Sequence, residues 1–526
     1  MINYKHIFIF FLISLYILVG GYLSLTNGIT SDESFEQLNW IENIKGIKSL
    51  LINGEYDEFL KYQDKYHGIA FHYISQPIQL VLYKFISELN NSTEFAAFLM
   101  SKHLAVFFIF FISSIFFYRL IFKITSNQLF SFLSLITYLL YPYLFGHSLF
   151  NMKDIPFLSF WIITSYYSLN IVEDIFLEKE IHYKNLFFLA FLTSFLISIR
   201  ILGFVIFFQF LITLIILFNY KNISFFIFFK KYFKYLLIYL ITLSFFIYIL
   251  NPVFWLNPLE LVNSIVWMSQ YFNNICTLTL GDCMSSLSLP SSYYFIWLFF
   301  KLPIIIIFGL ILFPIVEKQI FKNSLISIYY GTLLFSSLFI IFLFILLKVN
   351  IYDEIRHIMF ILPLLILVGL ANLYFFNKKL SYFLTIITSL FFLIENTNLN
   401  PYQYTWLNSF AKFTNIEKNF EIDYWGVSGK NLQKKIIDYA EKNNISKDTC
   451  VYGDEFVKEF LIKEGFSCFK RYQQLDAAKI KPAIAYKNLR NAKRSNPRDC
   501  KLIWNENYKY AFYNKKISTG TLWFCD

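Results

Sequence analysis

Charged residues are scarce in this chain: 15% of its 526 residues are Asp, Glu, Lys or Arg, against about 25% in a soluble globular protein. With 57% hydrophobic residues and a mean hydropathy of +0.51, that scarcity excludes an ordinary soluble domain and leaves a polytopic membrane protein. Other absences narrow the function. A phosphate-binding glycine loop is missing, so nothing points to a nucleotide. No CxxC pair occurs and no His lies close in sequence to the cysteines, which argues against zinc. Neither internal repeats nor matching Gly/Pro-broken halves occur, as an inverted-repeat transporter would require. No basic stripe interleaved with aromatics lies outside the apolar segments, so the net charge of +11 does not imply nucleic acid. It is accounted for by Lys and Arg in short loops on one side of the membrane and in the C-terminal region.

What the chain does contain is about eleven apolar stretches, each long enough to cross a bilayer at about 20 residues per crossing. The first, about residues 6–25, follows Lys5 and has no small-residue cleavage site after it, so it is expected to stay as an anchor. Residues 26–97 form a first external loop with helical periodicity in Glu36 to Ile52 and around Ile78 to Ile86. The apolar run from Asn185 to Tyr220 is too long for one helix and divides at Arg200-Ile201-Leu202-Gly203. The stretch from about Tyr293 to Val316 is expected to be one span, the eighth. Residues 1–395 thus form the membrane module, and 396–526 a small external α/β domain, in which Cys450-Val451-Tyr452 reads as a strand and Glu455 to Glu464 as a helix.

The six cysteines, Cys276, Cys283, Cys450, Cys468, Cys500 and Cys525, all fall in segments expected outside, which fits an oxidising compartment. Cys276 and Cys283 bracket a loop short enough to close as a disulfide.

Charged residues in several external turns are the candidates for chemistry. Asp32 and Glu33 follow the first span, Asp154 opens the fourth, Arg200 divides the fifth from the sixth, and Arg356-His357 opens the tenth. Carboxylates and cations at the mouths of spans are costly to bury and are functional candidates by default. A guanidinium grips phosphate oxygens bidentately, and a carboxylate takes the proton of an acceptor hydroxyl. Each residue also has a bland explanation: Asp32-Glu33 as a solvated loop start, Asp154 as a helix N-cap ahead of Pro156, Arg356 and His357 as interfacial anchors, and Arg200 as one half of a structural ion pair.

Taken together, Asp32-Glu33 after the first span, the stretch Asn151-Met152-Lys153-Asp154-Ile155-Pro156-Phe157 at the fourth and a basic residue between short fifth and sixth spans resemble the GT-C superfamily of polyprenyl-phosphate-sugar-dependent glycosyltransferases. Within it the chain is similar to the branch with protein O-mannosyltransferases and the lipid A aminoarabinose transferase. Asn400-Pro401-Tyr402-Gln403-Tyr404 and Asp423-Tyr424-Trp425-Gly426 resemble paired motifs after the last span in a bacterial subgroup. The resemblance implies an inverting hexosyl- or pentosyltransferase in a bacterial inner membrane with a periplasmic C-terminal domain. Its donor is a polyprenyl-phosphate-linked sugar and its acceptor a lipid, protein or glycan. It further implies Asp32 as base; position in the topology then assigns Glu33 and Asp154 as orienting groups and Arg200, Arg356 and His357 to the donor phosphate, where the family sometimes has Lys. Some members use a divalent metal and others do not; with one acidic pair and no DxD triplet, no ligand is assigned. The competing class is a transporter or flippase of a lipid-linked substrate.

Overall fold

A computed structural model describes residues 4–526 apart from 57, 223, 271–273, 454, 476–480, 491–495 and 498. Eight helices are long and apolar enough to cross a membrane, and two bent helix pairs bring the number to ten if each pair is one span. The chain is a polytopic helical membrane protein carrying a small α/β domain at its C-terminal end. With the shorter apolar helix described next, these elements coincide with the about eleven apolar stretches expected, two of them bent. The remaining segment, Tyr183–Ile199, is an apolar helix of 17 residues. It ends at Arg200, whose extended backbone (φ −145°, ψ 134°) leads through a short 3-10 turn into Ile206–Lys221, so the long run divides at the residue where charge enters it.

The eighth span departs furthest from expectation. Ser292–Lys301 and Ile304–Ile311 meet at a bend of 118°. Pro303 removes a backbone donor and drives the preceding residue out of helical geometry, and Leu302 is extended at φ −70°, ψ 137°. Pro142 marks the other bend, of 62°, between Gln128–Leu140 and Pro142–Ser148. The short helix so formed presses backbone to backbone on the segment after the last span. A Cβ on Gly146 would lie 2.1 Å from Tyr404 N, so only glycine fits there.

Between the first two spans lie the helices Glu33–Asn53 and Ala70–Asn90. A hairpin of Cys276–Thr279 and Asp282–Ser285 is closed by the Cys276–Cys283 disulfide. Its two-residue turn, Leu280-Gly281, has positive φ at both positions (50° and 91°), the geometry that suits the strands' twist.

The C-terminal domain has a five-stranded sheet in the order Phe469–Lys470, Cys450–Tyr452, Ala483–Asn488, Ile517–Cys525, Cys500–Tyr508. The first three are parallel and the last two antiparallel. The helix Ser428–Lys442 lies on this sheet and buries Leu432, Ile436 and Ala440, spaced four apart on one face, against Ile484, Tyr486 and Leu522. Cys450–Cys468 and Cys500–Cys525 are bridged.

Candidate active site

Asp32 precedes the helix Glu33–Asn53 but makes no side-chain cap with it. Its carboxylate instead accepts a hydrogen bond from Arg356 Nη1 at 2.9 Å and stays 45% exposed, while Arg356 is buried. The second Nη of Arg356 lies 3.2 Å from Asp353, and the guanidinium stacks on Trp425 at 4.9 Å. Asp353 and Glu354 hold two successive left-handed conformations, φ 57° and 65°. Such residues cost about 1–3 kcal/mol each and cluster at functional sites. The strain is offset by what the two side chains reach: Asp353 bridges Arg356 and Arg490, and Glu354 pairs with buried Lys301 at 2.7 Å.

Asp154 begins the helix Asp154–Phe176, but the N-cap position is Lys153. The N-cap explanation of Asp154 is therefore wrong. Asn151 accepts from the backbone N–H groups of Lys153 and Asp154, which frees the Asp154 carboxylate to pair with Arg200 and to accept from Asn151 Nδ2 at 2.9 Å. Asp32 and Asp154 both act electrostatically on Arg356, so the two carboxylate–guanidinium pairs lie within range of each other's charge. In each, the Nε of the arginine is buried without a partner.

Glu33 faces elsewhere. It is buried, takes hydrogen bonds from Thr30 N (2.8 Å) and Thr30 Oγ1 (2.7 Å), and lies 2.9 Å from His103 Nε2. These contacts, all made by Oε1, fasten the start of its helix to the next span, while Oε2 is buried without a partner. His357 is partly buried, edge-on to Tyr352 at 4.7 Å, with Nδ1 unpartnered.

Sequence reasoning missed several neighbours. Lys153 Nζ reaches Glu36 and the Gly68 carbonyl, each at 3.0 Å. Burial opposes ionisation of Glu36, but Lys153 and hydrogen bonding to His72 outweigh it and hold that carboxyl well below its usual range. His67, electrostatically coupled to Arg200 and Asp32, is pushed down to about 4 by burial and by Lys153. From the C-terminal domain, Arg490 pairs with Asp353 and, at 3.0 Å, with Glu421. Burial raises both carboxyls, and Arg490 counteracts it.

The two C-terminal motifs meet at this site. Tyr404 donates to Asp423, which also accepts from the backbone N–H of Val427 (2.8 Å) and Ser428 (3.1 Å). Burial still lifts Asp423 to about 6. The Trp425 carbonyl accepts from Ser31 N at 3.1 Å, which ties the second motif to the residue before Asp32. Among the described residues, no group of three or more His, Cys, Asp or Glu side chains is arranged to hold a metal ion.

Fold and site define a polytopic membrane protein with a carboxylate–guanidinium site at the helix ends, closed over by its C-terminal domain. The chain is similar to the crystal structure of ArnT from Cupriavidus metallidurans in the apo state, at 9% identity and a TM-score of 0.48, covering 99% of this chain and 98% of that one. It is also similar to ArnT from the same organism bound to undecaprenyl phosphate, at 10% identity and a TM-score of 0.44, covering 97% of each chain. No family model and no curated protein sequence matches the chain.

Proposed function

We propose that this chain is an inverting membrane glycosyltransferase that moves a sugar from a polyprenyl-phosphate carrier to an acceptor hydroxyl on the external face of a bacterial inner membrane. The observation that carries the proposal is the half-exposed Asp32 carboxylate, oriented by a buried arginine next to a second arginine–carboxylate pair. The acceptor O–H attacks the anomeric carbon, Asp32 takes its proton, and the bond from that carbon to the phosphate oxygen breaks with its electron pair on the phosphate. Arg200 gives one Nη to Asp154 and Arg356 gives both, to Asp32 and Asp353, and each keeps an unpartnered Nε. That leaves donors for a phosphate whose charge grows as it departs. Asp154 fixes Arg200, and His357 is near enough to Arg356 and Arg200 to feel both charges.

The test is incubation of the purified full chain with a radiolabelled polyprenyl-phosphate-linked sugar and a membrane extract as acceptor source. Asp32-dependent release of polyprenyl phosphate is the expected result. Movement of intact donor across a vesicle membrane, with no bond broken, would establish the transporter or flippase instead.

A further inference from the structure

A groove lined by none of the charged site residues runs between the helices Tyr4–Thr26 and Gln128–Leu140 and the end of Lys378–Leu399. Its volume of about 550 Å³ falls within the roughly 300–1,000 Å³ of small-molecule sites. Along the spans its walls are apolar, formed by side chains such as Leu12, Val19, Ile136 and Leu140. At one end the wall becomes polar, with Asn396, Asn400 and Gln403. There a second cavity of about 300 Å³ adjoins it, sharing Leu23 and Asn400 and continuing along Asn27 and Lys430.

Three buried polar atoms at this end lack any partner: Asn396 Oδ1, Gln403 Oε1 and Asn27 Nδ2. Each residue is at least nine-tenths buried. The opposite end of each amide is already used. Asn396 Nδ2 donates to the Leu140 carbonyl, Gln403 Nε2 to the Asn396 carbonyl and Asn400 Oδ1, and Asn27 Oδ1 accepts from Gly28 N. An unmade hydrogen bond on a buried polar group is costly, so two such groups on the groove and a third on the adjoining cavity call for a ligand with complementary groups. Lys430 is fixed above them by hydrogen bonds to the Thr26 carbonyl and Asn90 Oδ1, which leaves one of its three protons uncommitted. Gly28 makes room for it, since a Cβ there would lie 2.9 Å from Lys430 Cβ.

We propose that the two cavities form one binding site for a membrane lipid with an anionic, hydroxyl-bearing head of the phosphatidylglycerol type. Its acyl chain lies along the apolar groove. Its phosphate meets Lys430 and the Asn27 N–H, and its glycerol hydroxyls donate to the carbonyl oxygens of Asn396 and Gln403. A choline head offers no hydroxyl or N–H donor to those oxygens, and its charge opposes Lys430.

The experiment is native mass spectrometry of the full chain, released from detergent after incubation with equal amounts of phosphatidylglycerol and phosphatidylcholine. Retention of phosphatidylglycerol should exceed that of phosphatidylcholine by about tenfold, the ratio given by one well-made charged contact. Lys430→Gln should remove the preference, and Ile136→Trp, which fills the groove, should remove binding. Equal retention of both lipids by the unmodified chain overturns the proposal, leaving ordinary annular lipid. A second measurement needs no variant. Phosphatidylglycerol with a diazirine at its chain end should crosslink to peptides from 4–26 or 128–140, and crosslinking confined to other helices overturns the proposal as well.

Discussion

Arg356 holds Asp32 at 2.9 Å with one Nη and Asp353 at 3.2 Å with the other. One buried guanidinium therefore fixes the proposed base relative to the loop before the tenth expected span. Asp32→Asn keeps the shape and a hydrogen-bonding oxygen but cannot take a proton. Turnover should fall about 10²-fold or more, while binding of a polyprenyl phosphate is kept. Near-normal turnover would move the role of base to another carboxylate.

Arg200 pairs with Asp154, so it has a structural role whatever else it does. Arg200→Ala should lower Tm and also weaken polyprenyl phosphate binding in the fraction that folds. Arg200→Lys should restore part of the binding, as a point charge without the guanidinium fork. A loss of stability with unchanged affinity would confine Arg200 to the structural role.

The Glu36–Lys153 pair has a definite pH signature. Glu36 is held below its ordinary value of 4.5, so its contribution to stability is present above that value and is lost as the pH falls through the lower, folded-state value. His67 and His72, pushed down by burial to about 4 and about 3, are neutral near neutral pH. Glu36→Gln should therefore lower Tm most near neutral pH, and the gap to the unmodified chain should narrow below about pH 4.5. A gap independent of pH would show that the carboxylate's charge is not what stabilises.

Arg490 joins Asp353 of the membrane module to Glu421 of the C-terminal part. Arg490→Met would leave two buried carboxylates without their cation, and removing one partner of a buried pair costs about 3–5 kcal/mol. Arg490 itself is 23% exposed, which places the expected loss at the lower end of that range. Limited proteolysis should then release the C-terminal domain sooner. An unchanged digestion pattern would assign the domain's docking to other contacts.

All six cysteines are paired in three disulfides, and Cys283 is the one most open to solvent in its hairpin. After mild reduction of intact spheroplasts, an impermeant thiol reagent should label Cys283. Labelling that requires opening of the membrane would reverse the proposed orientation.

Much of this architecture was legible because apolar runs and interrupting charges are local signals. Arg200 marked the division of a long run, since an arginine inside it requires a partner, and the structure breaks the helix there. The strand Cys450–Tyr452 and the helix Glu455–Lys463 likewise coincide with the pattern. The 118° bend was not legible in the apolar run: hydropathy records which residues avoid water and not the direction in which the chain runs. Asp32 and Glu33 looked equivalent as neighbours, but one step along a helix turns a side chain by about 100°. That step sends Glu33 inward to His103. Glu36, Lys153, Asp353 and Arg490 gain meaning only through partners far away in sequence, a relationship that no single window contains.

The Arg490 bridge also has a consequence for the chain's birth. A ribosome makes Asp32 long before Arg490, so these residues come together only after the helices between them have been made and the C-terminal domain has folded. A nascent or truncated chain thus contains Asp32 without the Trp425 and Arg490 contacts that complete its surroundings. The surroundings of Asp32 are therefore complete only once the C-terminal segments have folded against it.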